Sequence, residues 1–163
     1  MTPDRIEKQI TLKAPLTRVW NAISNAHEFG AWFGVTFDGP FVAGASIRGR
    51  ITPTTVDPEV AKLQEPHAGM PFDITIERIE PPRLFSFRWH PSALDTNTDY
   101  SGEPTTLVAF ELIAVESGTH LVITESGFDG IPLVRRAQAF TANDGGWTHQ
   151  ARLLEKYLLL HAA

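Results

Sequence analysis

Two carboxylates in this 163-residue chain stand where apolar side chains are expected. Glu125 falls in phase with Leu121 and Ile123 in a run that alternates like a β-strand, so it should point inward. Asp144, with Asn143 beside it, lies one helical turn after Phe140 and one turn before Trp147 and Thr148. A buried charge without partners is expensive, so each carboxylate should be paired, hydrogen-bonded or at an opening. Structural satisfaction is the commoner fate of such a group. Recognition of a ligand comes next, and acid–base catalysis last. Strand phase turns Arg88 and His90 away from Glu125, which argues against either as its cation.

Other chemistry is sparse. His27, His67, His90, His120, His149 and His161 form no HExxH and no paired-ligand spacing, so they read as surface or capping residues. There is no cysteine, hence no disulfide, thiolate metal site or cysteine nucleophile. No GxSxG, P-loop or GxGxxG occurs, and neither metal nor cofactor is expected. The aromatic residues are more often core than ligand box. Trp89 and Trp147 are the best candidates to touch a ligand, because their faces should oppose each other. Gly145-Gly146 beside Trp147 costs about 1 kcal/mol per glycine relative to alanine inside a helix. Close packing, a kink, or room for a ligand would each explain the pair.

These residues need positioning, and the last third of the chain supplies it. Leu133, Ala137, Phe140, Trp147, Ala151, Leu154 and Leu158 recur at steps of three, four or seven, which predicts one helix over 132–161. Pro132 suits its first turn. So broad an apolar stripe must be gripped, and a curved antiparallel sheet is the expected partner. Alternation predicts strands over 5–13, 45–54, 72–79, 84–90, 105–115 and 119–126. Two short helices follow the first strand, the second ending at Gly34. Residues 55–69 read as a surface excursion with one helical turn near 59–63. Residues 91–104 read as a polar loop able to act as a lid. The order lacks βαβ alternation, so the class is α+β rather than a parallel sheet.

Length and composition favour one domain over 1–163, with 42% apolar residues for a core. A net charge of −5 without a Lys/Arg cluster argues against nucleic acid. No apolar run approaches the roughly 18 residues that span a membrane. The first residues lack the apolar segment of a signal peptide, so a cytoplasmic location is expected.

An ordered set of short motifs adds a resemblance. Val19-Trp20-Asn21-Ala22-Ile23, Trp32-Phe33, Glu80-Pro81-Pro82-Arg83-Leu84, Gly118-Thr119, Glu125-Ser126-Gly127-Phe128 and Gly145-Gly146-Trp147 occur in sequence. Together they resemble homologues of the activator of the heat-shock-protein-90 ATPase, within the START-like (SRPBCC) superfamily. The resemblance implies a helix-grip fold, with a curved sheet wrapped around the long terminal helix and an apolar cavity between them. It also implies small-molecule binding, of lipid-, polyketide- or sterol-like compounds. A polyketide cyclase or dehydratase, with Glu125, Asp144 or His90 moving protons, is one alternative. A module that stimulates a chaperone ATPase is another, although the chain has no room for the eukaryotic activator's additional chaperone-binding domain. A homodimer is compatible with all three. The expected ligand-binding residues are Trp32, Phe33, Phe72, Phe87, Trp89, Phe110, Glu125, Phe128, Phe140, Asn143, Asp144 and Trp147. An apolar cavity would favour the binding protein, converging carboxylate and imidazole the enzyme, and a filled core the interaction module.

Overall fold

The computed structural model describes residues 4–91 and 100–161. In chain order the elements are β1 (Arg5–Leu12), α1 (Leu16–Ser24), α2 (Ala26–Phe33), β2 (Val35–Phe37), β3 (Ser46–Ile47), β4 (Gly49–Ile51), α3 (Pro58–Gln64), β5 (Ile74–Glu80), β6 (Leu84–Trp89), β7 (Thr106–Val115), β8 (Gly118–Ser126) and α4 (Leu133–Leu160). Six strands form one curved sheet in the order β1-β8-β7-β6-β5-β3, and every pairing in it is antiparallel. The long helix α4 packs across its inner face, the helix-grip arrangement of an α+β fold. Among the described residues no helix is long and apolar enough to cross a membrane.

Local sequence explains the main boundaries. Asn25 accepts from the Glu28 N–H and opens α2. Gly34, at φ 101°, closes it in the left-handed region that glycine adopts without strain. Asp57 caps α3 through the Glu59 and Val60 N–H groups.

Two expectations are corrected. The strand expected over 45–54 is two short strands in different sheets: β3 pairs with β5, whereas β4 pairs with the unforeseen β2. Gly49 permits the switch, because a Cβ there would sit 2.9 Å from the Phe72 carbonyl and from the side chains of Val35 and Phe37. The apolar stripe of α4 also begins later than its spacing implies. Leu133 is 77% exposed and Ala137 is exposed, while Ala139, Trp147, Leu153, Leu154 and Tyr157 are buried. At about 100° per residue a seven-residue repeat drifts round the helix, so its early members leave the buried face. The loop expected over 91–104 falls mainly on 92–99, outside the described residues.

The core is filled largely by aromatic rings. Phe29, from α2, lies within 6.3 Å, centroid to centroid, of Trp32, Phe33, Phe41, Phe85, Phe87 and Phe110.

Candidate functional site

At one end of that core a single carboxylate gathers the polar side chains. Glu125 lies on β8 opposite Val108 of β7, on the inward face that alternation assigned to it. It is 0% exposed. Its Oε1 accepts from Trp147 Nε1 at 2.8 Å and from Asn143 Nδ2 at 3.0 Å. Its Oε2 accepts from Trp89 Nε1 at 2.8 Å, Thr106 Oγ1 at 2.5 Å and Asn143 Nδ2 at 3.0 Å. Four neutral donors from β6, β7 and α4 thus converge on one buried acceptor. The register explains part of this, since Trp89 and Thr106 are directly opposed across β6 and β7. Hydrogen bonds to a carboxylate are stronger than neutral ones, which makes burial tolerable without a cation.

The basic groups nearby are engaged elsewhere. Lys8 pairs with Asp144 at 3.0 Å and Arg88 with Glu77 at 3.1 Å. His90 donates to the Glu103 carbonyl at 3.1 Å, if Nε2 carries the proton, and borders a separate hollow with Asp73 and Arg88.

In front of this network lies a pocket of about 100 Å³, lined by Phe33, Trp89, Asn143, Gly146, Trp147 and Gln150. The three rings form a cluster: Trp89–Trp147 centroids are 5.7 Å apart, Phe33–Trp147 6.0 Å and Phe33–Trp89 6.2 Å. A Cβ added at Gly146, or at Gly145, would meet nothing within 4 Å, so these glycines answer no close backbone approach.

Of the expected residues, Phe33, Trp89, Asn143 and Trp147 line this pocket, and Glu125 ties three of them together. Phe72 packs on Phe33 and Trp89, at 5.4 and 5.5 Å. Phe87 and Phe110 lie behind, against Trp89 and Trp147. Trp32 is buried core and donates to the Ala22 carbonyl at 2.9 Å. Phe128 and Phe140 pack edge to face, 5.1 Å apart, and neither lines the pocket.

Asp144 must be corrected. Its side chain is 49% exposed and paired with Lys8. One residue is about 100° of helix, so Asn143 and Asp144 reach different strands: Asn143 meets Glu125 of β8, and Asp144 meets Lys8 on the inner face of the edge strand β1. Glu125, Asp144 and His90, considered for proton transfer, are bonded to different partners rather than to one another.

Gln150, Gly146 and Thr106 were not among the expected site residues. Gln150 is three residues after Trp147 and seven after Asn143, a spacing that places all three along one side of α4. Thr106 shares the inward phase of Val108 and Phe110.

A larger groove of about 670 Å³ lies between the α1–α2 corner and the β2–β4 pair, and contains none of the expected residues. Among the described residues no group of three or more His, Cys, Asp or Glu side chains could hold a metal ion.

No curated protein matches the chain, but solved structures do. DynU16, from the dynemicin biosynthetic locus, is 24% identical with a TM-score of 0.67. The match covers 96% of this chain and 48% of DynU16, so the chain spans about half of that protein. Protein MLL2253 from Mesorhizobium loti is 20% identical, with a TM-score of 0.68 over 94% of this chain and 96% of that one. Aha1 from Colwellia psychrerythraea, solved as a dimer, is 18% identical, with a TM-score of 0.67 over 97% and 96%. At such identities the likeness establishes the fold, which is START-like. The family model described as "Activator of Hsp90 ATPase homolog 1-like protein" matches residues 13–159, nearly the whole length, and the chain belongs to that family.

Proposed function

We propose that this protein binds an apolar or aromatic part of a small molecule at the pocket between α2, β6 and α4. The observation that carries this reading is the Glu125 network. It fixes Trp89 and Trp147 in place beside an opening that Gly146 leaves unfilled. At about 100 Å³ the pocket is small beside the roughly 300–1,000 Å³ of sites that engulf a drug-sized ligand. It suits one ring or branched head, with the rest of a larger lipid-, polyketide- or sterol-like molecule outside.

The test is an apolar fluorescent probe titrated into wild type, Gly146→Leu and Trp89→Ala. Leucine at 146 has open space for its first carbon and should fill the opening. We expect both variants to weaken uptake on the order of tenfold while far-UV circular dichroism is unchanged. Uptake that is absent from wild type, or equal in all three proteins, overturns the reading.

The filled aromatic core and the family membership support a second reading, a surface module that stimulates a chaperone ATPase. Its check is the ATPase rate of heat-shock protein 90 from the same organism, and an unchanged rate removes it. A homodimer is supported by the likeness to the Colwellia dimer, and sedimentation velocity decides it.

A further inference from the structure

We infer that the pocket is selective for a small organic cation, an alkylated or quaternary ammonium group. This rests on the binding reading above and names its ligand class.

What the pocket can offer a ligand depends on which of its polar atoms are already bonded. Its indole donors and one N–H of each side-chain amide are already used. The indole N–H groups of Trp89 and Trp147 and the Nδ2 group of Asn143 all donate to Glu125. Gln150 Nε2 donates to the Phe33 carbonyl at 3.2 Å. These bonds also fix both amide orientations, because a flip would set oxygen against oxygen. The other polar atoms are electron-rich. Gln150 Oε1 is buried without a hydrogen-bond partner, and Asn143 Oδ1 is left over after its amide nitrogen is engaged. The other surfaces are the rings of Phe33, Trp89 and Trp147.

Behind the two indoles sits a buried carboxylate that four neutral donors satisfy, with no ion pair to it among the described residues. An indole whose N–H donates to a carboxylate is polarised toward a more negative ring face. Rings within about 6 Å of a cation attract it through their quadrupole, and tryptophan does so best. An anion would meet these acceptors and π faces, with only the second N–H of each amide to offset their repulsion. A neutral apolar group would leave the partial negative charge of Gln150 Oε1 unanswered, whereas an alkylated ammonium can donate to it and a quaternary one meets it with positively polarised methyl groups.

The test uses three molecules of nearly one shape: choline, its uncharged isostere 3,3-dimethyl-1-butanol, and the anion 3,3-dimethylbutanoate. Binding is followed through the indole N–H signals of Trp89 and Trp147 in ¹H–¹⁵N spectra. We expect choline to shift both signals and to bind on the order of tenfold more tightly than either isostere. Gln150→Leu should weaken choline several-fold at unchanged fold, because the Phe33 carbonyl keeps its bond from Gln64 Nε2 at 3.0 Å. Equal binding of all three molecules, blocked by Gly146→Leu, leaves the binding reading standing and overturns the cation. Choline that moves neither indole signal, or an anion that binds best, also overturns it. Failure of all three molecules and of the apolar probe removes both readings.

Discussion

Glu125→Gln keeps the shape of the buried side chain and turns one of its two acceptor atoms into a donor. The consequence follows from what surrounds each oxygen. If the new amide oxygen takes the place of Oε1, it still accepts from Trp147 and Asn143. The new NH₂ then faces Thr106 Oγ1, which can rotate to accept, and Trp89 Nε1, which cannot. One indole N–H is stranded. In the opposite orientation Trp147 loses its acceptor, while Asn143 keeps its bond to Oε2; Trp147 is only 2% exposed, so the first arrangement is cheaper. A stranded buried donor costs about 1–3 kcal/mol, and the surviving bonds weaken when their acceptor loses its charge. Relief of the carboxylate's desolvation offsets part of that. The expected net loss is about 2–4 kcal/mol, read as a lower urea midpoint at unchanged slope. A double-mutant cycle with Trp89→Phe, which removes the stranded donor, should recover part of the loss. A loss below about 1 kcal/mol, or strict additivity in the cycle, would refute the view that this carboxylate organises the pocket.

Further outcomes test the helix and its anchors. Leu154 is fully buried, so Leu154→Ala should cost about 2–5 kcal/mol, whereas Leu133→Ala, at an exposed site, should stay within about 0.5 kcal/mol. Comparable losses at both would mean that the buried face is misplaced. Gly145→Ala and Gly146→Ala should each stabilise by up to about 1 kcal/mol, because the added carbon meets nothing. A drop in urea midpoint for either would show that the glycine itself is needed for the fold. The Tyr157 phenol is held above its ordinary range, by burial first and then by its bond to Glu28. The fold therefore favours the protonated phenol. Its contribution is complete below about pH 10, where the unfolded residue ionises, and is lost as pH rises through the folded value. Urea unfolding should show a decline above that pH that is shallower in Tyr157→Phe, and identical slopes would reject the assignment.

The ordering of periods along the chain was enough to specify much of this protein. Alternation over 119–126 commits Glu125 to the inner face whatever it meets there, because the side-chain period of a strand is two. A helix with an apolar stripe near its end, preceded by a run of strands, leaves few ways to bury both. The motif order carried the family. Spacing could not say which of Asn143 and Asp144 meets Glu125. Both lie close to the stripe, and a rotation of less than a third of a turn exchanges them. Packing of Leu154, Trp147 and Ala139 fixed that rotation, with Asn143 on Glu125 and Asp144 on Lys8. Nor could local pattern show that Trp89, Thr106, Asn143 and Trp147 share one acceptor, since Trp89 and Glu125 are 36 residues apart and meet only through sheet register and helix placement. Cavity size was likewise a tertiary outcome. The aromatic residues expected to line an open space largely fill it with one another, because interiors pack to crystal-like density wherever rings can interlock. What stays open is the corner beside Gly146, where α4 offers no side chain.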